Sequence, residues 1–138
     1  MSDRFHTLRP KADSEKITIN LGFIDLGHID LLVREGFYAN RSDLIRTAVR
    51  NQIERHAAET RRSQERSDLD LGIRHITRQQ LEAARSSGKL LDINVLGLAA
   101  IDSDVSADLA RSAIRSVTVL GAFHASAEVK AALADRIR

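Results

Sequence analysis

One pattern limits the fold of this chain more than any other: a repeat. The segment "INVLGLAAIDSDVSADLA", 93–110, aligns with "VTVLGAFHASAEVKAALA", 117–134, without a gap at an offset of 24 residues. Val95, Leu96, Gly97, Val105, Ala107, Leu109 and Ala110 recur as Val119, Leu120, Gly121, Val129, Ala131, Leu133 and Ala134, and Asp104 is answered by Glu128. A further 24 residues upstream, 69–86 carries a fainter copy, with Leu69, Leu71, Leu81 and Ala83 at the positions of Ile93, Val95, Val105 and Ala107. Each unit reads as a strand followed by a short helix. Thr77 with Gln80, Ser103, and Ser126 are natural helix N-caps, and Gly88 follows the first helix as a stop. Repeated strand–helix units of this length predict parallel strands stacked as a short solenoid with helices along one side. A mixed sheet folded back on itself is the other arrangement. Ala107, Ala110, Ala131 and Ala134 predict close approach of those helices. Three units are near the lower limit for such a stack and leave sheet edges open. Self-association through 69–138 is the expectation, against a monomeric appendage capped by its own linker.

The front of the chain poses the opposite problem. "KITINL", 16–21, alternates Lys16, Thr18 and Asn20 with Ile17, Ile19 and Leu21, so it reads as a strand with one polar and one apolar face. Two helices follow. Ile24, Leu26, Ile29, Leu32 and Val33 recur at helical spacing, with Asp25 as a start cap and Gly36 as a stop. Asn40 caps the second, Asp43 lies in its first turn, and Leu44, Ile45, Ala48, Val49 and Ile53 form its apolar stripe. Arg41, Arg46, Arg50 and Arg55 lie off that stripe. One strand and two helices cannot bury a sufficient core alone. Two copies can: strand pairs antiparallel with strand, and four helices pack beneath. Ile17, Ile19, Leu21, Leu44, Ile45, Ala48 and Val49 then form a dimer core. Lys16, Thr18 and Asn20 face outward on a two-stranded ribbon that fits a DNA major groove, where Lys can donate to guanine and Asn can pair with adenine. The backbone N–H groups at Asn40, Arg41 and Ser42 suit a phosphate.

Alone, an alternating strand is a sheet edge and a basic helix is a solvated face. It is the ordered conjunction of strand, glycine stop, Asn-Arg-Ser cap and amphipathic helix that points to DNA. On "KITINL", the glycine-ended first helix and "GFYANRSDLIRTAVR", residues 16–56 resemble a ribbon-helix-helix DNA-binding domain of the CopG/Arc/MetJ superfamily. The resemblance implies base contacts from Lys16, Thr18 and Asn20 and backbone anchoring by Asn40, Arg41 and Ser42. It departs from the pattern at Gly27, which weakens the first helix by about 1 kcal/mol relative to Ala. The expected organisation is α+β: a flexible N-terminal arm at 1–15, a dimeric ribbon-helix-helix domain at 16–58, a polar linker at 59–68, and about three strand–helix repeats of 24 residues at 69–138.

Composition narrows the function. Residues 1–62 hold 11 Lys and Arg against 9 Asp and Glu, and the remainder holds 10 against 10, so charge placement rather than net charge must carry any DNA claim. No cysteine is present, which excludes disulfides and thiolate metal sites and favours a bacterial-type cytoplasm, there nucleoid-associated. No apolar run is long enough for a membrane span, so no membrane partner is expected. A ribbon-helix-helix domain with a C-terminal module is also the layout of nickel-responsive regulators. Those need a histidine-rich metal site, whereas His6, His28, His56, His75 and His124 are scattered. His75 and His124 are the pair that folding could bring together. Asp102, Ser103 and Asp104 read as a capping turn rather than a calcium loop. No metal, cofactor or catalytic residue is expected, and the chain reads as a non-enzyme. The expected partners are double-stranded DNA and a second copy of the chain. The expected function is a sequence-specific transcriptional repressor. One alternative is an antitoxin that autoregulates its operon and binds a toxin. Another is an interaction scaffold working through the repeats.

Overall fold

The computed structural model describes residues 14–138, so all but the last two residues of the expected arm at 1–15 lie outside the described residues. The chain forms two compact units that divide between Arg55 and His56.

The first unit holds α1 (Phe23–Arg34) and α2 (Arg41–Arg55). Asp25 does not cap α1. Gly22 takes that position, its carbonyl accepting from the Leu26 N–H at 3.0 Å, and Asp25 sits inside the first turn, beside the positive end of the helix dipole. The stop at Gly36 is as expected. Gly36 adopts φ +86°, its N–H donates to the Val33 carbonyl, and the Phe37 N–H donates to the Leu32 carbonyl. These two bonds satisfy carbonyls that a helix end leaves orphaned. Asn40 caps α2, its Oδ1 accepting from the Asp43 N–H at 2.8 Å. The Asp43 carboxylate accepts in return from the Ala39 N–H at 3.0 Å.

"KITINL" differs from expectation. Residues 15–22 carry no regular secondary structure, and none of residues 16–21 makes a backbone bond to another described segment. A strand exists by its ladder, and two helices offer none. Ile17 is 82% exposed and Ile19 63%, and among the described residues of α1 and α2 only Ile29 is buried.

The second unit begins with α3 (Ala57–Arg66), which occupies most of the stretch read as a linker. Its end hides from a search for Gly or Pro. Asp68 takes the left-handed conformation at φ +53°, its N–H donates to the Glu65 carbonyl, and the Leu69 N–H donates to the Gln64 carbonyl. This is the hydrogen-bond pattern that ends α1, with aspartate where α1 uses glycine.

There follow β1 (Asp70–Ile76), α4 (Arg78–Ser87), β2 (Leu91–Ile101), α5 (Ala107–Ala113), β3 (Ile114–His124) and α6 (Ala127–Ala132). The three strands are parallel and lie in chain order, as the solenoid reading requires and a mixed sheet does not.

 

Ile93, Val95, Ala99 and Ile101 are buried with Leu81, Leu109, Val129 and Leu133, so this face of the sheet and helices α4–α6 share one core. The intervening residues Leu96, Leu98 and Leu120 turn to the other face.

The register corrects the faintest repeat. β2 and β3 pair at the expected spacing, Val95 with Val119 and Gly97 with Gly121, but β1 pairs one residue further on, Leu71 with Leu96 and Gly72 with Gly97. A one-residue slip would turn every side chain of β1 to the wrong face. Three glycines thereby fall in one row, at φ +120°, +139° and +125°. A Cβ on Gly97 would lie 2.2 Å from the Gly72 carbonyl oxygen, and one on Gly121 would lie 2.0 Å from that of Gly97. The row is therefore a place where only glycine fits.

The caps are Thr77, Ser106 and Ser126, accepting from the Gln80, Leu109 and Val129 N–H groups. Ser106 replaces the expected Ser103, so α5 starts later in its unit than α6 does. Val105 and Val129 remain equivalent in burial all the same. Of the four alanines expected between helices, Ala110 is buried, Ala107 half-buried, and Ala131 and Ala134 exposed, with Ala134 beyond the end of α6 at Ala132. Among the described residues no helix is long and apolar enough to cross a membrane.

Candidate nucleic-acid interface

The polar residues of "KITINL" stand clear of the rest of their unit. Lys16, Thr18 and Asn20 are exposed, and none has a hydrogen-bond partner among the described residues. Among the residues read as a dimer core, Ile17, Ile19, Ala48 and Val49 are exposed in the single chain, while Leu21, Leu44 and Ile45 are half-buried. The apolar face that should close on a second copy is thus largely uncovered.

The start of α2 is more constrained than its sequence suggests. Asn40 spends its side-chain oxygen on the helix cap. Arg41 reaches back to α1 and grips Asp30 with two bonds, Nε to Oδ1 and Nη2 to Oδ2, each 2.8 Å. The fork geometry is the strong form of this contact. It holds the Asp30 carboxyl below its usual range, chiefly through the Arg41 hydrogen bond, and raises Arg41 in turn. Both side chains are more than half exposed, so water screens the pair and its main effect is geometric. Of the three residues expected to anchor phosphate, Ser42 alone keeps a side chain without a partner among the described residues. The backbone N–H groups of Arg41 and Ser42 remain at the positive end of a helix of 15 residues. Asp30 is the residue that sequence reasoning missed. It lies 11 positions from Arg41, across the turn between helices, and no helical spacing links them.

The second unit gathers polar groups elsewhere. A groove of about 500 Å³ is lined by Ser67, Asp92, Asn94, Arg115, Ser116, Thr118 and Arg138. At its centre Arg115 donates to both Asp92 oxygens, and the Ser116 hydroxyl donates to Asp92 Oδ1 at 2.6 Å. Arg115 is the extra residue where β3 slips against β2, because Leu91 pairs with Ile114 and Asp92 with Ser116. Such a bulge re-aims a side chain. His75 and His124 do not meet within the chain, since Ala100 on β2 stands between them. Among the described residues, no three His, Cys, Asp or Glu side chains gather into a metal-holding group.

No curated protein and no solved structure matches this chain. The model of the Ribbon-Helix-Helix transcriptional regulator family matches residues 12–130. The match runs from just before "KITINL" into α6, so it takes in most of the strand–helix units as well as the two front helices. With most of its length matched, this chain belongs to the Ribbon-Helix-Helix transcriptional regulator family.

Proposed function

We propose that this DNA-binding regulator is a sequence-specific repressor that acts as a dimer. Two copies of "KITINL" pair antiparallel. Ile17, Ile19 and Leu21 close over the apolar stripes of α1 and α2, and Lys16, Thr18 and Asn20 enter the major groove. The observation that carries the reading is the alternation of two open faces: Lys16, Thr18 and Asn20 are exposed with no partner among the described residues, and Ile17 and Ile19 between them leave apolar side chains open to water.

Phosphates meet the α2 N-terminus through the N–H groups of Arg41 and Ser42 and the Ser42 hydroxyl. The Asp30–Arg41 clamp holds α2 against α1, so that this end keeps its angle to the ribbon. Backbone contacts set register and the ribbon reads bases. The tail adds contacts between bound dimers. The antitoxin reading relies on a tail that orders only on its toxin, and the buried core of this tail speaks against it.

The test is a binding titration of the full chain against its own upstream DNA and a scrambled duplex, at two salt concentrations. Asn20→Ala is expected to lose about 1–3 kcal/mol of discrimination at one base position. Affinity for both duplexes is expected to fall steeply with salt. Unchanged discrimination in Asn20→Ala would sink the ribbon assignment.

A further inference from the structure

We propose that the tail binds a second copy of itself edge to edge: β1 of one chain adds to the open edge of β3 of the next, in the register that already relates the strands within one chain. This deepens the self-association assigned to the tail and draws only on residues 69–138.

The glycine row carries the inference. Within the chain, the Gly72 carbonyl occupies the place beside Gly97 where a side chain would be, and the Gly97 carbonyl does the same beside Gly121. Gly72 has the same backbone conformation as the other two, yet nothing lies within 4 Å of its Cβ position. The edge of β1 is therefore shaped for one more carbonyl. Gly121 repeats the conformation at the far side of the sheet and turns its own carbonyl outward. Placing Gly72 of the incoming chain beside Gly121 continues the row without changing either strand.

The same register settles the neighbours. Leu71 falls beside Leu120, Ile73 beside Ala122 and His75 beside His124. Leu71 is 72% exposed, Ile73 61% and Leu120 54%, whereas Leu96 and Leu98, which have strands on both sides, are half-buried. Stacking would turn the end strands into middle strands and make the Leu71–Leu96–Leu120 row continuous across chains.

The β3 edge has room for the incoming strand. The Val117 N–H donates to the Arg136 carbonyl, and the Arg138 N–H donates to the Val117 carbonyl, so Arg136–Arg138 line the beginning of the edge and bring Arg138 level with Thr118. In the proposed register Asp70 of the incoming chain pairs with Val119, the next position along. From Val119 to His124, the outer side of β3 has no ladder partner among the described residues. The contact joins unlike edges, so it is heterologous and extends rather than closing at two chains.

The chain has no cysteine, which allows a clean test. Leu71 and Leu120 of one chain lie two strands apart, about 9–10 Å, too far for a disulfide. In the stack they lie on adjacent strands, about 5 Å apart, within reach of one. Full-length protein carrying Leu71→Cys and Leu120→Cys is oxidised mildly without DNA and run on a non-reducing gel. The expected result is a ladder of two, three and more chains, with Leu71→Cys alone and Leu120→Cys alone remaining single chains. An off-register pair, Leu71→Cys with Thr118→Cys, is expected to give no ladder. The proposal is overturned if the in-register pair stays a single chain. Linking by Leu71→Cys alone, or by the off-register pair equally well, overturns it too. Sedimentation of the unsubstituted chain provides a second measurement: species larger than two chains are expected, and a ceiling at two chains overturns the stack. Because these readouts use no DNA, their failure is separate from failure of the repressor reading.

Discussion

The two units of this chain solve the burial problem in opposite ways. The tail encloses 14 apolar residues, eight of them among its largest fully buried side chains, and its strands, caps and helices all point toward that cluster. The head has helices of 12 and 15 residues and, among the described residues, buries Ile29 alone, while Phe23, Ile24, Phe37, Val49 and Ile53 remain open to water. Both are well patterned locally, with caps and stops that satisfy their helix ends. The difference lies in what completes them. A unit whose apolar side chains converge on one another folds on its own account. A unit whose apolar side chains form an outward face presents the kind of patch that marks an interaction site. In the function proposed above, a second copy covers that face, and the short strand gains its partner there.

The sharpest way to break the tail side of this comparison is Gly97→Ala. The added Cβ would meet the backbone of Gly72 at φ +139°, with no flexible side chain to yield. Left-handed strain alone costs about 1–3 kcal/mol, and the steric overlap adds to it, so a loss of about 3 kcal/mol or more is expected. Gly72→Ala shares the backbone strain but meets open space. In dilute solution it should therefore cost clearly less. Thermal unfolding followed by circular dichroism checks both, and equal losses would refute the row as a packing constraint.

A matched pair of truncations tests the division itself. Leu81 is fully buried, and Leu81→Ala should cost about 2–5 kcal/mol at any protein concentration. Ile19→Ala removes a side chain that is uncovered in the single chain. Its cost, about 1–2 kcal/mol of transfer free energy, should appear only where the second copy is bound. The expected signature is a melting temperature that depends on concentration in the unsubstituted head and falls in Ile19→Ala. An Ile19→Ala protein that matches the parent at every concentration would mean that no second copy covers this face.

How far the sequence discloses this fold depends on the kind of signal. The gapless match of 93–110 to 117–134 correctly places β2 beside β3, because a parallel register transmits a sequence offset directly into space. β1 is harder. Its offset is one residue longer, and Leu71 meets an apolar residue at either spacing, Val95 or Leu96. Only Gly72, with its positive φ, marks the true row. The end of α3 is invisible for a related reason, since Asp68 does there what glycine usually does. Ser103 and Ser106 are both plausible caps in sequence, and the loop after β2 decides between them. At the candidate interface, the alternation of Lys16, Thr18 and Asn20 with Ile17, Ile19 and Leu21 is legible from the residues alone. The engagement of Arg41 with Asp30 is not, because it joins two helices across a turn whose geometry no periodicity encodes.

The smallest expected effect concerns the junction of β2 and β3, where the tail's self-sufficiency includes an ionic contact. Hydrogen bonds from Arg115 and Ser116 lower the Asp92 carboxyl to about 2. The folded-state value lies below the ordinary 3.8, so the unfolded chain binds the proton more readily. The stabilisation is therefore fully present above about pH 5, declines as pH falls through 4, and is gone only near about pH 1, below the folded-state value. Asp92 is 35% exposed and Arg115 64%, so screening holds its size to about 1 kcal/mol or less. Asp92→Asn should lower the melting temperature slightly at neutral pH, and the gap to the parent should close on acidification. The bulge at Arg115 makes the measurement informative. If the register slip exists to bring this guanidinium across to β2, Arg115→Ala should remove the same pH-dependent increment as Asp92→Asn, and the double variant should lose no more than either alone. Additive losses would mean that the bulge is set by backbone packing and that the ion pair only decorates it.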